Sequence, residues 1–250
     1  MADIAVLLKQ VPDTNAKIVV SGGRVDEGSV KKWSMSPFDE YALEAALGVG
    51  GSITAITCGP ERSKKMLTDA AAVGASELLH IQVDDLTALD SNQISSLLAA
   101  AVVKTGADVV FCGKQAADTN AGSTGPGVAE KMDAACVTLV SEISGDSGSF
   151  SVLRPSADGS ERVTVSSPCV LAFDKMSTEL RRPNVKGIMM AKKKSIESVT
   201  PSDLGVDMGS CSVNLESQNP PAEKPAGQKF EGAESVPTVV GKLRDEAKVL

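Results

Sequence analysis

The chain has 250 residues, 42% of them hydrophobic and 23% charged, with a formal net charge of −7. These totals predict a globular chain with a sizeable core, and they argue against nucleic acid or an anionic membrane as its main partner. Five scattered cysteines without metal spacing and a single histidine, His80 in an apolar run, disfavour a metal enzyme or a hydrolase built on a Cys–His or Ser–His pair.

The N-terminal MADIAVLLKQ enters a strand pattern directly, over Asp3–Lys9, without a basic leader region, and no apolar run approaches the roughly 20 residues of a membrane helix. The expected compartment is a bacterial cytoplasm, or the mitochondrial matrix if the source is eukaryotic. Ile18–Val20 and Arg24–Val25 around Gly22-Gly23 suggest a small hairpin. A helix follows, with Ser36 as N-cap, Pro37 at its first position and Asp39 and Glu40 at its positive end. Ser52–Thr57 is the next strand and leads into Cys58-Gly59-Pro60. A helix from about Glu61 to Val73, a strand Glu77–Val83, and a helix opened by the capping box Asp90–Gln93 continue the alternation.

Asp108–Cys112 is a short apolar run with no helical period, the pattern of a strand buried on both faces. The loop after it, Gly113–Thr124, is rich in Gly, Ala, Asp, Asn, Ser and Thr and runs into a short helix around Val128, Ala129 and Met132. Such a loop lets backbone approach a ligand closely and offers helix-start N–H groups to an anion, with Ser123 or Thr124 as cap or phosphate ligand. It is neither a P-loop nor a GxGxxG fingerprint, and taken bare it reads equally as an ordinary connection.

Val137–Ile143 reads as a strand, Ser149–Leu153 and Glu161–Val165 as a hairpin, and Val170–Phe173 as another buried strand, all expected to extend the same sheet. The sum is an α/β fold: a doubly wound, mostly parallel, Rossmann-like sheet over residues 1–198. From about Val199 the composition turns to Pro, Ser, Gly and charge, which predicts an extended arm over 199–250 ending in a terminal helix from Val236. Loops after Leu8, Thr57 and Cys112 leave the carboxyl ends of parallel strands, where an open α/β sheet binds ligands. A purine nucleotide suits that edge, and no catalytic cluster accompanies it.

The stretches LLKQVPD, MSPFDEYALEAAL, TCGP, GKQAADTNAGSTG, GIMMAKKKSIE and PSDLGVD occur in that order. Together they resemble the β subunit of electron transfer flavoprotein, along nearly the whole chain. The resemblance implies an adenine nucleotide α-hydrolase-like fold and a heterodimer with an α subunit. It implies an FAD held mostly by that subunit and AMP bound here. The role implied is an electron carrier without bond-making residues of its own. It would shuttle electrons from acyl-CoA dehydrogenases and related flavin dehydrogenases to a membrane quinone oxidoreductase. The arm would wrap the α subunit.

Carried onto this chain, the cofactor site is Leu7, Ser36, Pro37, Phe38, Asp39 and Cys58. It continues through the loop Gly113, Lys114, Gln115, Ala116, Ala117, Asp118, Thr119, Asn120, Ala121, Gly122, Ser123 and Thr124, with Phe38 also near the flavin. The family's recognition loop falls at about 178–194, with Val185 as apolar anchor and Arg182 and Lys186 beside it. There are departures. The AMP loop has fewer acidic and amide side chains than usual, Val185 replaces the usual Leu, and Met190 stands where many members carry Lys. Gly125-Pro126 resembles electron-bifurcating relatives, which bind a second FAD in place of AMP. A free-standing adenine-nucleotide sensor and an adenylyl-transferring ligase are the other readings, the latter without a catalytic cluster.

Overall fold

The computed structural model describes residues 3–146, 148–224 and 226–250; Ser147 and, within the predicted arm, Pro225 lie outside them. In chain order the strands begin with β1 (Asp3–Leu7), β2 (Gln10–Pro12), β3 (Val20–Ser21), β4 (Arg24–Val25) and β5 (Trp33–Met35). Then come α1 (Pro37–Val49), β6 (Ser52–Gly59), α2 (Lys64–Val73), β7 (Glu77–Gln82), α3 (Ser91–Thr105), β8 (Val109–Gly113) and α4 (Thr124–Lys131). β9 (Ala135–Val140), β10 (Glu142–Asp146), β11 (Ser149–Ser156), β12 (Gly159–Ser166), β13 (Cys169–Phe173), α5 (Val185–Ala191), β14 (Glu197–Val199) and α6 (Val236–Asp245) complete the chain.

A parallel seven-stranded sheet in the order β14-β7-β6-β1-β8-β13-β9 forms the centre. Side chains alternate across its faces. Ile4 and Val6 of β1, Val109 and Phe111 of β8 and Leu171 of β13 join a core with α1 and α2. Ala5, Leu7, Val110, Cys112 and Val170 join a second core with α3 and α4. Helices on both faces explain why these strands are apolar at every position rather than at alternate ones. This is the doubly wound α/β fold that the alternation predicted.

The hairpin expectation needs one correction. β10, β11 and β12 do not extend the large sheet but form their own three-stranded antiparallel sheet. Phe150, Val152 and Val165 point into the first core, while most of their neighbours are exposed or half-exposed. A one-sided pattern of this kind suits a sheet laid over a core, not a strand buried within one. The predicted strand Val137–Ile143 likewise breaks at Ser141 between two sheets.

The chain separates into two compact units, 1–218 and 219–250. In the first, residues after β14 stay on their own domain: Leu204, Val206 and Met208 pack against the second core. The α3 capping box is formed, and the Asp90 carboxylate also accepts the Ser212 N–H at 2.8 Å. Gln218 pairs with the β3–β4 hairpin through Gly23 O and Val25 N, each at 2.8 Å. In the second unit α6 has no buried residue and exposes Val236, Val240 and Leu243.

Candidate functional site

The sheet order makes a switch point. From β1 the chain builds β6 and β7 on one side, then returns through α3 to build β8 on the other. The loops leaving β1 and β8 therefore diverge at the carboxyl edge and open a crevice. The first turn of α1 fills the base of that crevice. Asp39, 6% exposed, accepts the Lys9 N–H on Oδ2 at 2.7 Å and the Gly113 N–H on Oδ1 at 3.0 Å. Burial pushes its carboxyl up to about 7 against the two N–H groups, which favour the charged form.

Ser36 is fully buried at the N-cap of α1, but its hydroxyl does not cap that helix. It accepts the Ala117 N–H at 3.3 Å, while its own N–H donates to Lys9 O at 3.0 Å. The residue read as a helix cap is thus a tie between loops. Ser123 also makes no side-chain cap bond, because its backbone is αR rather than the extended form that aims a hydroxyl at the first turn.

The loop itself is braced. Lys114 donates its N–H to Phe173 O at 2.7 Å and its ammonium to Asp174 at 2.9 Å, and the same ammonium lies 4.7 Å from the Phe38 ring centroid. Lys9 pairs with Asp118 at 2.8 Å. Gln115 donates to the Asn120 side chain at 2.9 Å, and the Asn120 N–H donates to Ala116 O at 2.8 Å. Asn120 and Gly122 adopt left-handed backbone, at φ 51° and 67°. Thr119, Ala121 and Thr124 are exposed beside them. Gly113 and Gly125 are close-approach glycines. A Cβ at 113 would meet the Asp39 carboxylate and lie 2.8 Å from Phe38 Cβ, and one at 125 would lie 3.0 Å from Cys112 Sγ.

Ser36, Pro37, Phe38, Asp39 and Gly113–Thr124 therefore converge on one crevice. Leu7 and Cys58, near the carboxyl ends of β1 and β6, lie in the second core, both under 10% exposed, and burial pushes the Cys58 thiol up to about 12. The sequence reading missed Lys9 and Asp174, which brace the loop from either side. Lys9 stood inside the quoted LLKQVPD; Asp174 carried no local signal. His80 is a buried core residue whose Nε2 lies 2.9 Å from Gly59 O, and burial holds its pKa down. Among the described residues, no group of His, Cys, Asp and Glu could hold a metal ion.

The predicted recognition residues lie apart, at α5. Val185, expected on a loop, is instead the first residue of that helix. It is 75% exposed, with Arg182, Lys186, Met189 and Met190 exposed around it. Asn184 caps the helix by accepting the Gly187 N–H at 2.7 Å. A Cβ at Gly187 would run into the Ala72 carbonyl of α2, so the glycine lets the two helices close.

The family model for the electron transfer flavoprotein domain matches residues 27–204. The chain belongs to the electron transfer flavoprotein β-subunit family. It is 32% identical to "Electron transfer flavoprotein subunit beta" of Bacillus subtilis (strain 168), over 99% of this chain and 100% of that one. It is 34% identical to the protein of the same name from Thermoanaerobacterium thermosaccharolyticum, over 96% and 97%. It is 33% identical to the Homo sapiens protein of that name, over the whole of both chains. No helix among the described residues is long and apolar enough to cross a membrane.

Proposed function

We propose that this chain is the β subunit of a heterodimeric electron transfer flavoprotein and holds AMP in the switch-point crevice. The observation that carries the reading is the Asp39 tie, which joins the loop after β1 to the glycine-lined loop after β8 at the first turn of α1. Beside that tie, α4 begins at the end of this loop and packs against the sheet where Gly125 carries no side chain, and a helix start offers backbone N–H groups to an anion. The cradle fits a mononucleotide phosphate: small residues, left-handed backbone at Asn120 and Gly122, and the Ser123 and Thr124 hydroxyls. Leu7 and Cys58 near the strand ends give an apolar side for a base, and the Cys58 thiol stays neutral there.

Family membership supports an FAD shared with an α subunit, lying near Phe38. That flavin supplies the electron transfer when bound. The chain's own part is to place a cation, Lys114, and an aromatic ring at that edge, and to hold the loop still. Electrons would come from acyl-CoA dehydrogenases or related flavin dehydrogenases and leave to a membrane quinone oxidoreductase. Docking would use α5, with Val185 as anchor and Arg182 and Lys186 at its rim. The working compartment would be a bacterial cytoplasm, or a mitochondrial matrix in a eukaryote.

The test is to purify the heterodimer, release its nucleotides with acid and count them. One FAD and one AMP per heterodimer is the expected result. Two FAD and no AMP would replace it with the electron-bifurcating arrangement, and no adenine nucleotide at all would overturn the crevice assignment.

A further inference from the structure

Between β13 and α5 the chain crosses α1 in a stretch, 174–184, with no regular secondary structure. Its start is held by the Asp174–Lys114 ion pair and by Met176, which is buried in the first core. A cavity of about 250 Å³ lies beneath it, bordered by Glu44, Gly48, Ile143 and Met176. What holds its far end, next to α5, is a charged clamp. Glu44, on α1, has a side chain only 10% exposed, and Arg181 engages both of its oxygens. Arg181 Nε lies 2.8 and 3.0 Å from them, Nη2 lies 2.7 Å from Oε1, and the Arg181 backbone N–H donates to Oε2 at 3.1 Å. Burial alone would raise the Glu44 carboxyl; the Arg181 hydrogen bonds overcome that and hold it below its ordinary range.

We propose that Glu44 is the positioning residue for α5: through Arg181 it fixes the root of that helix and sets how Val185 is presented to a partner dehydrogenase. The inference rests on the docking reading of α5 given above. Little slack separates the clamp from the helix. Arg182 precedes a proline and is biased towards extended backbone, Pro183 has a fixed φ, and Asn184 caps the helix. A clamp at Arg181 is therefore felt at Val185. A two-pronged Arg–carboxylate pair defines direction as well as distance, which a lysine cannot reproduce. Glu44 shares α1 with Asp39, so one helix both ties the nucleotide crevice and roots the docking helix.

The test uses the heterodimer with Glu44→Gln, Arg181→Lys and, as a control on the docking reading, Val185→Ala. Glu44→Gln should raise hydrogen–deuterium exchange across 178–191 while nucleotide content holds. It should also raise the apparent KM for the carrier with an acyl-CoA dehydrogenase by roughly 3- to 10-fold at unchanged kcat. Arg181→Lys, which keeps the charge but not the fork, should fall between wild type and Glu44→Gln. A merely structural ion pair would move the melting temperature and leave the KM alone. Unchanged exchange in Glu44→Gln overturns the inference. So does a raised KM in Val185→Ala alone, which leaves the docking reading standing. An unchanged KM in both variants overturns the docking reading and the inference with it.

Discussion

Asp39 and Gly113 lie 74 residues apart in sequence and meet at 3.0 Å, where the Gly113 N–H donates to Asp39 Oδ1. The other carboxylate oxygen accepts the Lys9 N–H at 2.7 Å. β1 and β8 are neighbours in the sheet, yet at the switch point their ladder stops and their next N–H groups lose strand partners. One carboxylate replaces both lost bonds. It lets the loops part without leaving buried donors orphaned, and that parting is what opens the crevice.

The tie should be sensitive to pH, with a definite sign. The Asp39 carboxyl is raised from 3.8 to about 7 in the folded protein. Between those values the folded chain keeps a proton that the unfolded chain has lost. The stability this group contributes is therefore complete below the unfolded value and is lost as pH rises through about 7. Asp39→Asn removes the titration. The melting-temperature difference, wild type minus variant, should fall steadily between about pH 4 and pH 7. A difference that stays constant across that window would place the carboxyl at an ordinary pKa.

Gly113 should be intolerant of even one methyl group. A Cβ there meets the Asp39 carboxylate and sits 2.9 Å from the Asp39 backbone N, so relief requires moving the first turn of α1. Gly113→Ala is expected to cost about 1–3 kcal/mol in denaturant unfolding, the usual range for overpacking. It should also strip AMP from the purified heterodimer. Wild-type stability with full nucleotide would show that α1 can yield at no cost.

Much of this was legible in the sequence, and what escaped it has a physical reason. The α3 capping box was readable because Asp90 and Gln93 are local to each other, and both bonds form. Val170–Phe173 read as a buried strand, and β13 is one residue longer, because an apolar run needs a core on both sides. Ser36 does stand at the N-cap, as read, but the partner of its hydroxyl, Ala117, is 81 residues away and leaves no local signal. Asp39 looked like a favourable charge at a helix start; nothing nearby reveals that it serves two strands. The separate sheet of β10–β12 was written in the one-sided burial of Phe150 and Val152, which strand-by-strand reading does not weigh.

Ser36→Ala should separate loop order from global stability. The hydroxyl is buried and serves one bond, to the Ala117 N–H. Removing it should cost about 0.5–1.5 kcal/mol, most of it in the loop Gly113–Thr124. AMP affinity should fall by up to about tenfold on titration of nucleotide-free heterodimer, with the melting temperature lowered only slightly. Equal affinity with a large drop in melting temperature would assign Ser36 to the core and not to the loop.

The arm should prove to be two things joined at about Gln218. Residues 200–218 strap their own domain: Leu204, Val206 and Met208 cover the second core, Ser212 hangs on the Asp90 carboxylate, and Gln218 pairs with β3–β4. Only 219–250 form a separate unit, whose helix α6 buries none of its own residues. Two truncations should therefore behave differently. A chain ending at Gln218 should unfold like the full-length subunit, since its first unit keeps every one of these contacts. A chain ending at Val199 should lose several kcal/mol, because it removes three apolar side chains that pack against the second core, at roughly 1–2 kcal/mol each. Association should divide the other way if α6 is the part that grips the α subunit: both truncations would then run as monomers on size-exclusion chromatography in its presence. Equal stability of the two truncations would show that the strap adds nothing to the core. A heterodimer that survives the cut at Gln218 would move the grip from α6 to the face of the α/β domain.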